Sequence, residues 1–355
     1  MDLSLIIPVY NSGEFLGRLF DNLAAQPIFA ESRGEMIFVN DGSTDDSEQQ
    51  ILRFAESHPC VRYIACEHRG IQFTRNEGIR AAEGDYIAFM DSDDLMAIGS
   101  LDYMVAVARQ HNAEVVRASI KYVYEQELQD QEKLEDLQKA ETPQISRISS
   151  GIEFIEATNG LQYAWNCWNV IFSRQFIIDN NLFFDEKIWY EEDLAYVWKA
   201  YPFVKKLVGL KNKYYLYIQR SGSISNPNEY KSSIKFRSSS FLFAFHLNDI
   251  LKDYYKRNII SDRLKNVLIF YRNHRLYSFL GGMIKYRGLT REQINPLIKR
   301  IKDAGMYPYP HSFPEMLPGY PTSLPHRLMW RLMSYEWILR IMLRLRCSKE
   351  KIIDV

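Results

Sequence analysis

Asp91 and Asp93 stand two residues apart in the run Asp91-Ser92-Asp93-Asp94. On an extended segment, residues i and i+2 project to the same side, so this pair offers two carboxylates to one point. A hard-oxygen site of that kind suits Mg2+ or Mn2+, which complete their shells with water and substrate phosphates. The chemistry implied is a diphosphate-bearing substrate, the ion acting as a Lewis acid against charge growing on the leaving diphosphate. Asp is also common in turns and helix caps, which is the plainer reading of the tetrapeptide alone. Two further acid sites stand out. Asp41 closes an apolar run in Asn40-Asp41-Gly42-Ser43, and Glu191-Glu192-Asp193 immediately precedes a helical pattern, where capping is the ordinary explanation.

The surrounding elements decide how much weight these acids carry. Leu3–Val9, Met36–Val39, Val61–Ala65, Tyr86–Met90 and Val115–Ser119 are short apolar runs that read as buried strands. Between them, Phe15, Leu16, Leu19, Phe20 and Leu23 recur at helical spacing, Ser43, Thr44 or Asp45 can cap a following helix with Glu48 completing a box with Asp45, and Thr74–Ala82 and Ile98–Gln110 are helical. Strands alternating with helices predict an α/β fold, a mostly parallel sheet with helices on both faces. Ligands of such sheets bind beyond the carboxyl ends of the strands. Tyr10 and Asn11, Asp41, and Asp91 to Asp94 all fall at those ends. The first turn has neither G-x-G-x-x-G nor a Walker-type loop, which disfavours a dinucleotide site and a P-loop.

Composition narrows the classes further. Lys+Arg (44) equals Asp+Glu (44) in 355 residues, so the basic excess of a nucleic-acid-binding protein is missing and no nucleic-acid partner is expected. Cys60, Cys66, Cys167 and Cys347 show no C-x-x-C spacing and are expected as reduced thiols. The N-terminal run lacks the pattern of a secretory signal, and no stretch of about eighteen apolar residues predicts a transmembrane helix. Histidines, including His68, His246 and His274, form no ligand-spaced cluster.

Four ordered blocks carry a resemblance: LSLIIPVYNSGEFL, VNDGSTDDS, RNEGIRAAEGDYIAFMDSDD and EED. Together they resemble the family 2 inverting glycosyltransferases of the GT-A fold, over roughly Leu3 to Asp193. The resemblance implies a nucleotide-diphosphate-sugar donor, a divalent metal (Mn2+ or Mg2+) and a single displacement with inversion at the anomeric carbon. By the same resemblance, Pro8, Tyr10 and Asn11 line the nucleotide base, Asp41 accepts a hydrogen bond from it, usually uracil, and Arg75 approaches the nucleotide. Asp91, Ser92 and Asp93 match the D-x-D segment at the donor, with Asp91 and Asp93 at the metal. Asp193 matches the catalytic base of the E-D pair and Glu192 its supporting acid. An inverting transfer needs such a base within reach of the acceptor hydroxyl, and a carboxylate at a helix start is held ionised by backbone N–H groups. Trp165, Trp168, Trp189 and Tyr190 flank this region as sugar-stacking candidates, Trp168 the one assigned to acceptor support; core packing explains each equally well. Val170 stands where similar sequences often carry lysine, so no acceptor or phosphate contact is carried over there.

The expected organisation is a catalytic domain over 1–221, with an acidic insertion at 122–148 read as a solvated helix or surface excursion. Leu207–Gly209 and Tyr214–Ile218 read as two edge strands. A helical C-terminal region follows over 222–325, ending in a Pro/Tyr-rich linker at 307–325. Residues 326–355 form a basic-aromatic C-terminal helix, whose 326–346 portion pairs arginines with Trp330 and Trp337 and is a candidate for an anionic membrane surface, a partner chain or the catalytic domain. The resemblance implies transfer of a hexose or N-acetylhexosamine from a UDP-sugar to a glycan or lipid-linked acceptor, in cell-surface polysaccharide synthesis, in the cytoplasm or peripherally on the cytoplasmic membrane face. The rivals are a metal-dependent nucleotidyltransferase, which would usually carry a basic Gly-rich loop that PVYNSGEF lacks, and a non-catalytic nucleotide- or glycan-binding protein of the same fold.

Overall fold

A computed structural model describes residues 1–129, 131–158, 166–188, 190–220, 234–258, 261–310 and 323–349. The chain divides into two compact units. The first comprises Met1–Phe154 and Ala164–Ser223, the second Ile155–Tyr163 and Ile224–Val355.

The first unit opens with β1 (Leu3–Val9), α1 (Gly13–Ala24), α2 (Pro27–Ala30), β2 (Gly34–Asn40), α3 (Ser47–Ser57), β3 (Val61–Ala65), α4 (Ile71–Ala81) and β4 (Tyr86–Phe89). It continues with β5 (Leu95–Met96), α5 (Ser100–His111), β6 (Val115–Tyr124), α6 (Gln131–Gln138), β7 (Ile145–Ser149) and the start of α7 (Gly151–Ala157), whose residues from Ile155 on belong to the second unit. Then follow β8 (Val170–Ser173), α8 (Arg174–Asp179), α9 (Glu192–Ala200) and β9 (Leu207–Gln219). One sheet runs in the order β3-β2-β1-β4-β8-β6-β9-β5, with β7 beside β9. The expected α/β layering is present. Strands β1 to β4 pair in parallel, and the sheet becomes mixed where β8 inserts antiparallel between β4 and β6. All seven residues of β1 are buried, as a parallel strand covered on both faces requires. Helix α4 lies hard against that strand because Gly78 has no side chain: a Cβ there would meet Ile6 Cγ2 at 2.3 Å. This close approach brings Arg75 of α4 toward the carboxyl ends of the strands.

Several expectations need correcting. The cap of α3 is Asp46, and Asp45 accepts instead from Ser47 N (3.1 Å) and Gly13 N (2.9 Å), tying the starts of α3 and α1 together. The two edge strands predicted over 207–218 are one strand, β9, inside the sheet and paired with β6, β5 and β7. The strand runs unbroken through Lys211-Asn212-Lys213. Asn212 donates to Thr142 O (3.0 Å) and accepts from Gln144 N (2.6 Å), and the register shift on β6 lies opposite. The acidic segment is no solvated excursion throughout. Val123, Leu128, Leu134 and Leu137 pack around Leu95, Leu216 and Ile218 in a small apolar cluster. The four cysteines are free.

The second unit contains α10 (Ile234–Arg257), α11 (Asp262–Tyr286), α12 (Arg291–Asp303), α13 (Leu324–Ser334) and α14 (Glu336–Leu345). Ser261 caps α11 by accepting from Leu264 N, and Thr290 with Gln293 forms a capping box on α12. Phe241, Phe279, Leu297, Trp330 and Leu339 share its core. Within 307–325, residues 307–310 do not behave as an extended linker, since Tyr307 and Tyr309 are buried and Tyr307 Oη donates to Met333 O at 2.8 Å. The basic-aromatic tail is two helices rather than one, because Tyr335 takes an extended conformation between them.

Candidate active site

Arg75 is buried in α4, and its guanidinium gathers three carboxylates. Nη1 donates to Asp193 Oδ1 at 2.6 Å and to Glu192 Oε1 at 3.3 Å, while Nη2 donates to Asp91 Oδ1 at 2.9 Å. Asp91 arrives from the carboxyl end of β4, and Glu192 and Asp193 from the first turn of α9. Glu191, the residue before that turn, sits at φ 64°, ψ 26°. A non-glycine residue in this left-handed region stores about 1–3 kcal/mol of strain, which the surrounding contacts must sustain. The resulting bend aims the next two acids at Arg75. The resemblance had Arg75 approaching the nucleotide; the structure places its fork among the acids that the same resemblance assigns to donor and acceptor chemistry.

The electrostatics follow from burial. Desolvation pushes the Asp91 carboxyl up to about 6, although the Arg75 charge opposes it. Desolvation together with neighbouring Asp193 pushes Glu192 up to about 7. Burial works against the Arg75 charge, but Asp193, Asp91 and Glu192 outweigh it and hold the guanidinium protonated well above its usual range. Cys167 belongs to the same cluster. Its buried Sγ donates to Asp193 Oδ1 at 3.1 Å, and burial drives the thiol well above its ordinary range. A single cysteine with no spacing partner carries no signal in a sequence, so this contact was not foreseen.

Beside Asp91 the D-x-D turn is fastened to β9. Asp94 is buried, its Oδ2 accepts from Tyr215 Oη at 2.7 Å and its Oδ1 from Ile218 N at 2.7 Å. Tyr215 Oη in turn accepts from Asp91 N at 3.2 Å. Ser92 Oγ lies 2.8 Å from Ser12 Oγ, which joins the turn to the loop after β1. Asp93 is partly exposed, and its Oδ2 accepts from Arg220 Nη2 at 2.6 Å. The Arg220 guanidinium lies 3.8 Å over the Phe15 ring. Arg220 also lines a cleft of about 560 Å³ with Arg18, Tyr124, Glu125, Gln129 and Gln219, so the acidic segment supplies one wall beside the D-x-D turn.

Asp91 and Asp93 fit a divalent cation. They are two hard-oxygen donors on one turn, each partly exposed. Among the described residues no cluster of three or more His, Cys, Asp or Glu side chains is suited to hold an ion by protein atoms alone. That donor set matches Mg2+ or Mn2+, for which one or two carboxylates and substrate phosphates suffice.

The loops after β1 and β2 form the other end of the site. Asp41 is buried and accepts from Arg69 N (2.8 Å) and Gly70 N (2.9 Å), with His68 Nδ1 2.9 Å from its Oδ2. Tyr10 is half exposed, and its ring stacks on His68 at 4.2 Å. Asn11 adopts φ 49° and accepts from Thr44 N at 2.7 Å. Pro8 is buried within β1. Trp168 is buried against Tyr215 (4.1 Å) and Tyr217 (5.6 Å), which makes it part of a wall rather than an open platform. Tyr190 is partly buried, and Trp165 and Trp189 lie outside the described residues.

The molecule therefore brings Asp91, Glu192, Asp193 and Arg75 into one cluster, sets Asp93 with Arg220 next to it, and places Tyr10, Asn11 and Asp41 at neighbouring strand ends. The glycosyl transferase family 2 model matches residues 4–172. The uncharacterised glycosyltransferase EpsJ of Bacillus subtilis is 27% identical over 228 residues, 63% of this chain and 62% of that protein. The poly(ribitol-phosphate) β-N-acetylglucosaminyltransferase TarS of Staphylococcus aureus is 25% identical over 276 residues, 77% of this chain but 45% of TarS. The chain thus spans less than two thirds of the length of these relatives. The crystal structure of S. aureus TarS 1–349 in complex with UDP-GlcNAc matches with a TM-score of 0.56 at 21% identity, over 86% of this chain and 88% of that one. The fold is GT-A, and residues 4–172 are similar to glycosyl transferase family 2.

Proposed function

We propose that the protein transfers a hexosyl or N-acetylhexosaminyl group from a UDP-sugar to a hydroxyl of a glycan or lipid-linked acceptor, with inversion, in cell-surface polysaccharide synthesis. The observation that carries this reading is the single buried guanidinium of Arg75 that joins Asp91 to Asp193. It couples the acid nearest the donor phosphates to the acid that receives the acceptor's proton.

In the reaction, Asp193 takes the proton of the acceptor hydroxyl as the oxygen attacks the anomeric carbon. The bond from that carbon to the diphosphate oxygen breaks, its electron pair leaves with UDP, and one displacement inverts the centre. Arg75 and Cys167 both occupy Asp193 Oδ1, so in this reading Oδ2 would face the acceptor. Glu192, pushed up toward neutral pH, limits the negative charge crowded around Arg75. Asp91 and Asp93 would hold Mn2+ or Mg2+, which supplies positive charge against the diphosphate when bound. Tyr10, Asn11 and Asp41 would receive the base, and Trp168 supports the acceptor side through the Tyr215 wall. Among the described residues no helix is long and apolar enough to cross a membrane, and the proposed setting is the cytoplasmic side.

A panel of nucleotide sugars with Mn2+ or Mg2+ and hydroxyl acceptors tests the reading. Release of UDP with an inverted product, read by NMR of the anomeric proton, is expected. Release of pyrophosphate would make the protein a nucleotidyltransferase, and retention at the anomeric centre would remove the single displacement.

A further inference from the structure

We propose that the outer face of α13 and α14 docks the second unit on an anionic lipid surface. The inner sides of these helices are spent on the core: Trp330, Met333, Leu339 and Leu343 are buried there, and Trp330 Nε1 donates to Pro310 O at 2.8 Å. The opposite sides are not polar. Leu324 is 79% exposed, Trp337 64% and Leu345 76%, with Leu328 and Ile341 also open.

These residues are not scattered. On α13, Leu324, Arg327, Leu328 and Arg331 fall within an arc of about 100° at the helical repeat. On α14, Trp337, Ile341, Arg344 and Leu345 do the same. Each helix therefore has a second stripe, apolar and basic together, facing away from the unit. Arg327, Arg331 and Arg344 are exposed, and none makes an ion pair among the described residues. Glu336, the one acid within 324–349, is turned to Lys302 (2.8 Å) and Arg340 (2.7 Å). The outward charge is of one sign.

Charge complementarity selects the occupant. A protein partner at such a stripe would bury arginines among apolar contacts and need matching carboxylates. An anionic bilayer accepts both at once, since apolar side chains enter the acyl boundary, Trp sits at headgroup depth and arginine stems reach phosphate. With 11 and 10 residues, the two helices are far below the roughly 20 needed to span, so they lie on the surface.

Flotation of the full chain with vesicles tests this independently of any transfer activity. Vesicles of phosphatidylcholine with about one third phosphatidylglycerol are compared with pure phosphatidylcholine, at low and high salt. Two variants are measured beside the wild type, Trp337→Ser/Ile341→Ser/Leu345→Ser and Arg327→Glu/Arg331→Glu/Arg344→Glu, each checked for native circular dichroism. The proposal expects at least tenfold more wild-type protein to float with anionic vesicles, a loss at high salt, and a loss in both variants. No flotation, equal flotation on both lipids, or variants that float like the wild type would overturn it. So would concentration-dependent self-association without flotation that the same variants abolish, which would assign the face to a second copy of the chain.

Discussion

Arg75 Nη1 lies 2.6 Å from Asp193 Oδ1, across 118 positions of sequence and inside a buried cluster. The same guanidinium holds Asp91 from the end of β4. The acids proposed for donor and acceptor are thus oriented by one guanidinium fork, and a change at Arg75 should disturb both.

Removing that fork separates stability from chemistry. Arg75→Ala leaves carboxylates buried without their cation, and breaking a buried pair costs about 3–5 kcal/mol. A fall in melting temperature of many degrees is expected. Arg75→Lys keeps one charge but cannot span Asp91 and Asp193 together. It should fold, with kcat down by about a hundredfold, since misplacement of roughly 1 Å costs that much. Near-normal kcat in the lysine variant would show that the bidentate geometry is dispensable.

Cys167 positions Asp193 by donating to the same oxygen. Cys167→Ser preserves a donor and should retain most activity. Cys167→Ala loses it, and a drop of a few-fold in kcat with little change in donor KM is expected, about the effect of one neutral hydrogen bond. Because burial holds the thiol well above its ordinary range, the native protein should resist iodoacetamide at this cysteine at pH 8. Rapid labelling there, read by peptide mass spectrometry, would contradict the placement.

Asp94 makes a pH prediction with a definite sign. Burial raises its folded-state pKa well above the unfolded value near 3.8. Between those two values the folded chain keeps a proton that the unfolded chain has lost, so this group's contribution to stability falls as pH rises from about 4. Asp94→Asn removes the penalty while keeping an acceptor for Ile218 N. The melting-temperature difference, variant minus wild type, should grow from pH 4 toward neutral. A difference that shrinks over that range would show that Asp94 is ionised in the folded protein.

The parts that sequence made readable share a physical cause. β1, β2 and β4 are almost wholly buried, so each carries an apolar run, and the polar residues that end them are readable as a site. Asp91, Asp193 and Arg75 were named from local motifs, but their meeting was not, because burial and the turn at Glu191 create it. β8 is four residues long and has no pattern of its own. β9 reads as two strands in sequence because its polar centre is satisfied by distant backbone at Thr142 and Gln144. Arg220 and Cys167 are single residues without spacing partners, and only the fold brings them to Asp93 and Asp193.

Cation dependence reports on the D-x-D turn. Chelation should abolish transfer, and Mn2+ or Mg2+ should restore it. Asp93→Asn should raise the cation concentration needed for half-maximal rate by about tenfold or more, since an amide oxygen is a weaker ligand for a hard ion than a carboxylate. An unchanged requirement would move the ion away from Asp93.

The most direct measurement is the Asp193→Asn variant, assayed in parallel for UDP binding by calorimetry and for sugar transfer under single-turnover conditions. The variant keeps the shape of the side chain and an oxygen facing Arg75 but has no basic carboxylate. UDP affinity within a few-fold of the wild type, with transfer slowed by about 10³ or more, is the expected result. Transfer at a near wild-type rate would remove Asp193 from the chemistry and with it the link through Arg75.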